Sequence, residues 1–92
     1  MNVAFSYNNL ESSSTLEAYA EQKLKNDIYE LSASPMVITI ELYSFSKNQY
    51  MCLISFQDSQ RQFSTSSTGP YVFDCVDRVV DKLKKELEKS PA

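Results

Sequence analysis

Three β-rich segments separated only by short polar turns constrain this chain more than any other feature. "MVITIELY" (36–43) is dense in β-branched residues, which suit a pleated, half-buried surface. "YMCLISF" (50–56) is apolar on both faces in its middle, and "RQFSTS" (61–66) is short and polar, as at a sheet edge. The connections "SFSKNQ" (44–49) and "QDSQ" (57–60) are of hairpin length, so the three strands should be antiparallel to one another. A sheet of this kind must bury one face, and only the flanking segments can cover it.

Both flanks carry a helical pattern. "NVAFSY" (2–7) alternates first, with Val3, Phe5 and Tyr7 on one side, which predicts a half-buried strand. Beyond the polar "NNLESSST", Ser14 and Glu17 have capping-box spacing, with Ser13 as the alternative cap. The helix that follows should run to about Leu31, burying Leu16, Tyr19, Ala20 and Leu24, before "SAS" and Pro35 stop it. After "STGP", with Pro70 near its first turn, a second helix should run from about Tyr71 to Lys89 and end at Ser90 and Pro91. The first strand enters through a helix, so it should lie parallel to one of the others. The expected fold is α+β: one domain over residues 1–92, ordered β-α-β-β-β-α. It has two layers, a four-stranded mixed sheet with both helices packed on one face.

Composition narrows the chemistry. There is no His, which removes the commonest general base near neutral pH and the commonest metal ligand. Cys52 and Cys75 are too few and too far apart for a metal cluster and read as small buried hydrophobes. There is no Gly-rich phosphate loop and no apolar run near the roughly 20 residues that span a bilayer. The first residues lack the basic start and apolar run of a signal peptide. The expectation is a cytoplasmic, non-enzymatic protein with no cofactor, metal, membrane or small-molecule substrate.

A net charge of −3 does not by itself favour nucleic acid, but charge arrangement matters more than the total. The stretch "DCVDRVVDKLKKELEK" (74–89) holds five acids and five bases. Wound at about 100° per residue, it gathers Val72, Val76, Val79, Val80, Leu83 and Leu87 on one side, with Phe73 at the margin. Arg78, Lys82, Lys85 and Lys89 fall within roughly 60° on the opposite side. Asp77, Asp81 and Glu88 flank that ridge on one side and Glu86 on the other. The bland reading is a solvated helix steadied by i,i+4 pairs such as Asp81 with Lys85. The sharper one is a phosphate-binding ridge. The acidic balance lies elsewhere, since residues 1–73 hold seven acids and four bases.

Two segments carry a resemblance. "YNNLESSSTLEAYAEQKL" (7–24) and "YVFDCVDRVVDKLKKELEK" (71–89) resemble the two helical regions of the ribosome hibernation promoting factors and ribosome-associated inhibitors of the protein Y type. In the second, an aromatic, Phe73, precedes Val76-Asp77 and then Asp81-Lys82-Leu83, and the element order matches as well. The resemblance implies binding to the small ribosomal subunit and its RNA, in the channel for messenger and transfer RNA. Translation would then be blocked during starvation or stationary phase. It assigns RNA contact to Arg78, Lys82, Lys85 and Lys89, to Lys23 and Lys25 on the first helix, and to Asn8 and Asn9 in the loop. It also implies a short form that relies on a separate ribosome modulation factor to pair ribosomes. First-helix positions often basic in that family are Glu17, Glu21 and Gln22 here. Two other readings fit the pattern: a protein-interaction module using the uncovered sheet face, where strand three offers apolar side chains, and a double-stranded RNA-binding domain, disfavoured by the extra leading strand.

Overall fold

The computed structural model describes residues 1–90. Its elements are β1 (Asn2–Asn8), α1 (Ser14–Asp27), β2 (Val37–Ser46), β3 (Gln49–Gln57), β4 (Gln62–Gly69) and α2 (Val72–Lys89), with a 3₁₀ turn at Tyr29–Leu31. The sheet order is β1-β2-β3-β4. β1 is parallel to β2, and the remaining pairs are antiparallel. The α+β arrangement is the one expected. Pro91, expected to help end α2, lies outside the described residues.

Register assigns the faces. Val3, Ile38, Phe56 and Phe63 lie in one row, and Phe5, Ile40, Ile54 and Thr65 in the next. These rows, with Leu42 and Cys52, meet Leu16, Ala20 and Leu24 of α1 and Cys75, Val76, Val79, Val80, Leu83 and Leu87 of α2. Each large side chain removed from water here contributes roughly 1.5–3 kcal/mol. Cys52 and Cys75 are both buried and free. Burial, aided by the neighbouring Cys75, pushes the Cys52 thiol up to about 12.

Several local expectations are corrected. Ser13, not Ser14, caps α1, its Oγ accepting the Leu16 N–H at 3.1 Å. Glu17 is drawn away from any capping box because the Tyr7 hydroxyl donates to it at 2.7 Å. Tyr19 is not in the buried stripe. It lies one position off the Leu16-Ala20-Leu24 row, at the seam with α2, and is 40% exposed. The helix stops at Asp27 rather than Leu31, because Ile28 plugs into the core and the chain tightens into the 3₁₀ turn. β2 continues to Ser46 through a bulge at Phe45, leaving only Lys47–Asn48 as the turn. β4 is polar and an edge strand as expected, but it runs to Gly69. Ser67, Thr68 and Gly69 find partners in Cys52, Met51 and Tyr50, so pairing overrides their loop-like composition.

The hairpin tip "QDSQR" is more than a solvated turn. Asp58 and Arg61 form an ion pair of 2.9 Å whose side chains are almost fully buried. The Asp58 carboxylate accepts from Gln60 N–H, Arg61 N–H and the Ser32 hydroxyl. The Arg61 guanidinium donates to Leu31 O at 2.8 Å and to Ser90 O at 3.0 Å, and sits 5.8 Å from the centre of the Phe56 ring. One residue thus closes the 3₁₀ turn and the C-terminus of α2, where carbonyls lack helical partners.

Burial alone would push the Asp58 carboxyl up. The donors from Gln60, Arg61 and Ser32 outweigh it and hold the group well below the usual carboxylate range. An unfolded Asp titrates near ~3.9, so the unfolded state takes this proton more readily. The pair's stabilisation is therefore complete above that value and lost as pH falls from it toward the lower native value. Asp58→Asn and Arg61→Ala should each cost about 3 kcal/mol in denaturant melts at pH 7, the low end for a buried pair stripped of one partner. The gap between wild type and Asp58→Asn should narrow at pH 3 and below.

Candidate nucleic-acid interface

α2 displays Arg78, Lys82, Lys85 and Lys89 along its outer surface because the apolar stripe faces the sheet, and all four are exposed. The ridge is not uniform. Arg78 Nη2 donates to Thr68 O at 2.8 Å and Lys82 Nζ to Ser66 O at 2.7 Å, so both reach back to β4. Lys85 and Lys89 have no ion-pair partner among the described residues. One helical turn apart, they extend about 6 Å along the axis. Lys84, to which the sequence pattern gives no role, is half-buried on the same last turns of α2.

α1 and α2 lie side by side in the same direction. Tyr19 meets Phe73 edge to face, with ring centres 5.3 Å apart, and its hydroxyl donates to Asp77. That hydrogen bond raises the Tyr19 phenol above its ordinary value, with desolvation adding to it. One turn further along, Lys23 Nζ lies 3.2 Å from Asp27, 3.9 Å from Asp77 and 3.4 Å from Asp81. Burial lowers the Lys23 ammonium, but Asp27 and Asp81 outweigh it, and the net shift is upward. The acidic flank of α2 therefore faces α1, and Lys23 is its counter-ion.

The other expected contact residues are dispersed. Lys25 is exposed and lines a shallow cleft with Glu21, Met1, Asn2 and Val3, beside the start of β1. Asn8 and Asn9 lie at the opposite end of that strand. The Asn8 amide donates a long 3.5 Å bond to Leu42 O, and Asn9 takes a left-handed φ of 58° that Asn tolerates in a tight turn. The structure thus keeps the four α2 cations together. It spends Lys23 on the helix seam and leaves Lys25, Asn8 and Asn9 apart from the ridge.

The uncovered sheet face carries Thr39, Ser55, Ser64 and Ser66, with Glu41 among them. Of strand three's apolar residues, Met51 and Leu53 lie on this side, whereas Cys52, Ile54 and Phe56 are buried. Tyr43 stacks on Phe45 at 6.2 Å, and Phe45 is 59% exposed. Among the described residues no group of three or more His, Cys, Asp or Glu could hold a metal ion, and no helix is long and apolar enough to cross a membrane.

This fold recurs in known structures. The N-terminal domain of Protein Y from Thermus thermophilus superposes with a TM-score of 0.88 at 18% identity, covering 97% of this chain and 98% of that one. A ribosomal subunit interface protein from Coxiella burnetii superposes with a TM-score of 0.85 at 17% identity, covering 97% and 96%. The chain therefore has the Protein Y N-terminal fold over nearly its whole length. No protein-family model matches the sequence, and no curated protein does.

The Lys23 arrangement makes a direct prediction. Lys23→Ala should lower stability by about 1 kcal/mol at low salt, because Asp27, Asp77 and Asp81 are left facing one another. The loss should shrink in about 0.5 M salt, as expected for partly exposed charges. Lys25→Ala, measured in the same melts, should stay within about 0.5 kcal/mol of wild type.

Proposed function

We propose that this protein is a ribosome-associated hibernation factor. It would bind small-subunit ribosomal RNA in the messenger and transfer RNA channel and silence translation by occupancy, working in the cytoplasm where ribosomes are. The observation that carries this reading is the full-length match in fold to the Protein Y N-terminal domain. The ridge on α2 supports it: four exposed cations on one face of a rigid helix suit a phosphate backbone held by shape rather than by base edges.

We rank the contacts by what each cation would have to give up. Lys85 and Lys89 have no ion-pair partner to give up among the described residues and should carry the largest share of RNA binding. Arg78 and Lys82 would have to share or release their β4 carbonyls, and Lys23 would have to leave three carboxylates. Lys25, Asn8 and Asn9 remain candidates for separate, peripheral contacts. No side chain is assigned a catalytic role, because inhibition by occupancy needs none. A separate ribosome modulation factor would serve for pairing ribosomes. The uncovered sheet face supports a protein-interaction role less well, since its apolar side chains are split, with Val37 at one end and Met51 and Leu53 toward the other, by a largely Ser/Thr surface.

Co-sedimentation with small subunits and whole ribosomes, from about 50 to about 300 mM salt, tests the proposal. Binding should weaken steeply as salt rises, because each phosphate contact releases counterions. Lys85→Glu/Lys89→Glu should weaken binding more than about ten-fold and reduce the log–log salt slope by about 1 for each phosphate no longer neutralised. Absence of binding at the lowest salt would overturn the ribosomal reading.

A further inference from the structure

The outward edge of β4 is closed by two side chains of α2. Asp58 N–H donates to Arg61 O at 3.0 Å, which makes these residues a hydrogen-bonded pair of the antiparallel ladder. Pair types alternate along such a ladder. With Gln57 opposite Gln62 and Met51 opposite Thr68, residues Gln62, Ser64, Ser66 and Thr68 therefore turn their N–H and C=O groups away from β3. Lys82 occupies the Ser66 carbonyl and Arg78 the Thr68 carbonyl.

Gly69, the single glycine of the chain, fits this arrangement. Its φ is not positive, so no turn requires it. Instead, a Cβ there would collide with the Arg78 guanidinium. The missing side chain is the channel through which Arg78 reaches the strand edge.

The outward row itself, Gln62, Ser64, Ser66 and Thr68, bears no charge and no Pro. An edge of that kind is a template for another strand unless a charge, Lys above all, blunts it. We propose that the β4 edge is an interaction surface for β4 of a second copy, held shut by Arg78 and Lys82. A two-fold axis at Thr65 would set Gln62 against Thr68 and Ser64 against Ser66, an isologous pairing in which each row satisfies the other. The two guards oppose it twice over. They occupy the carbonyls, and they bring like charges together from both copies. This reading is independent of the ribosomal one.

The test compares two double variants that remove the same charge. Arg78→Ala/Lys82→Ala opens the edge, and Lys85→Ala/Lys89→Ala leaves it shut. Sedimentation velocity over a concentration series should show the first moving toward twice the mass of wild type. In parallel, Ser64 and Ser66 amide exchange should slow at least about ten-fold at high concentration, as expected for amides drawn into a ladder. Wild type and the second variant should show neither change. Equal masses for the two double variants, or unprotected Ser64 and Ser66 amides in the first, overturn the proposal. Where circular dichroism shows that the first variant does not fold, Lys82→Gln and Gly69→Ala decide by the same two readouts, the latter displacing Arg78 with its charge retained.

Discussion

The buried pair of Asp58 and Arg61 holds together parts of the chain that no regular hydrogen-bond ladder connects. The sheet is self-sufficient in backbone bonds, and the helices are held to it by apolar packing, which is strong but non-directional. What ties the 3₁₀ turn and the end of α2 to the hairpin tip is Arg61. It takes the carbonyl of Leu31 on one side and that of Ser90 on the other, while Asp58 sets its orientation. Because Ser32 also donates to Asp58, the hairpin tip, the segment after α1 and the end of α2 form one polar knot at the rim of an apolar core. An ion pair so placed tolerates no half measures, since either member alone would be a buried, uncompensated charge.

The remaining charges are organised by the same logic at lower stakes. α2 has three faces with different duties. Its valines and leucines meet the sheet, its Asp77 and Asp81 meet Lys23 of α1, and its Arg78 and Lys82 return to the edge of β4. Only toward the C-terminal turns, at Lys85 and Lys89, do ridge cations point out with no acid or carbonyl in reach among the described residues. A helix that looks uniformly amphipathic in projection is therefore graded along its length. Its Arg78 and Lys82 are engaged within the domain, and its last turns carry Lys85 and Lys89 without an ion-pair partner among the described residues.

Much of the fold was legible in the sequence, because it is written in periodicity. Alternation marked the strands, and the helical spacing of Leu16, Ala20 and Leu24, or of Val76, Val79, Val80 and Leu83, marked the buried helix stripes. The misreadings share a cause. Tyr19 has the right spacing and an apolar ring, but its position relative to α2 turns it to the seam. Ser67 to Gly69 have loop composition, yet β3 offers them partners. The candidate site was half legible: the α2 ridge followed from spacing, but two of the three carboxylates around Lys23 come from the far end of the chain and leave no local trace.

By itself the sequence determined the element order, the two-layer α+β class, the apolar faces and the cationic ridge on the last helix. Each follows from local pattern, and local pattern is set by backbone geometry alone. Only the tertiary structure decided that Arg61 caps two distant chain segments, that Lys23 is a counter-ion rather than a free cation, and that Arg78 and Lys82 close a strand edge. Those roles depend on which charges folding brings within about 3–4 Å. Coulomb energy and hydrogen bonding respond to that separation in space, and spacing along the chain does not encode it.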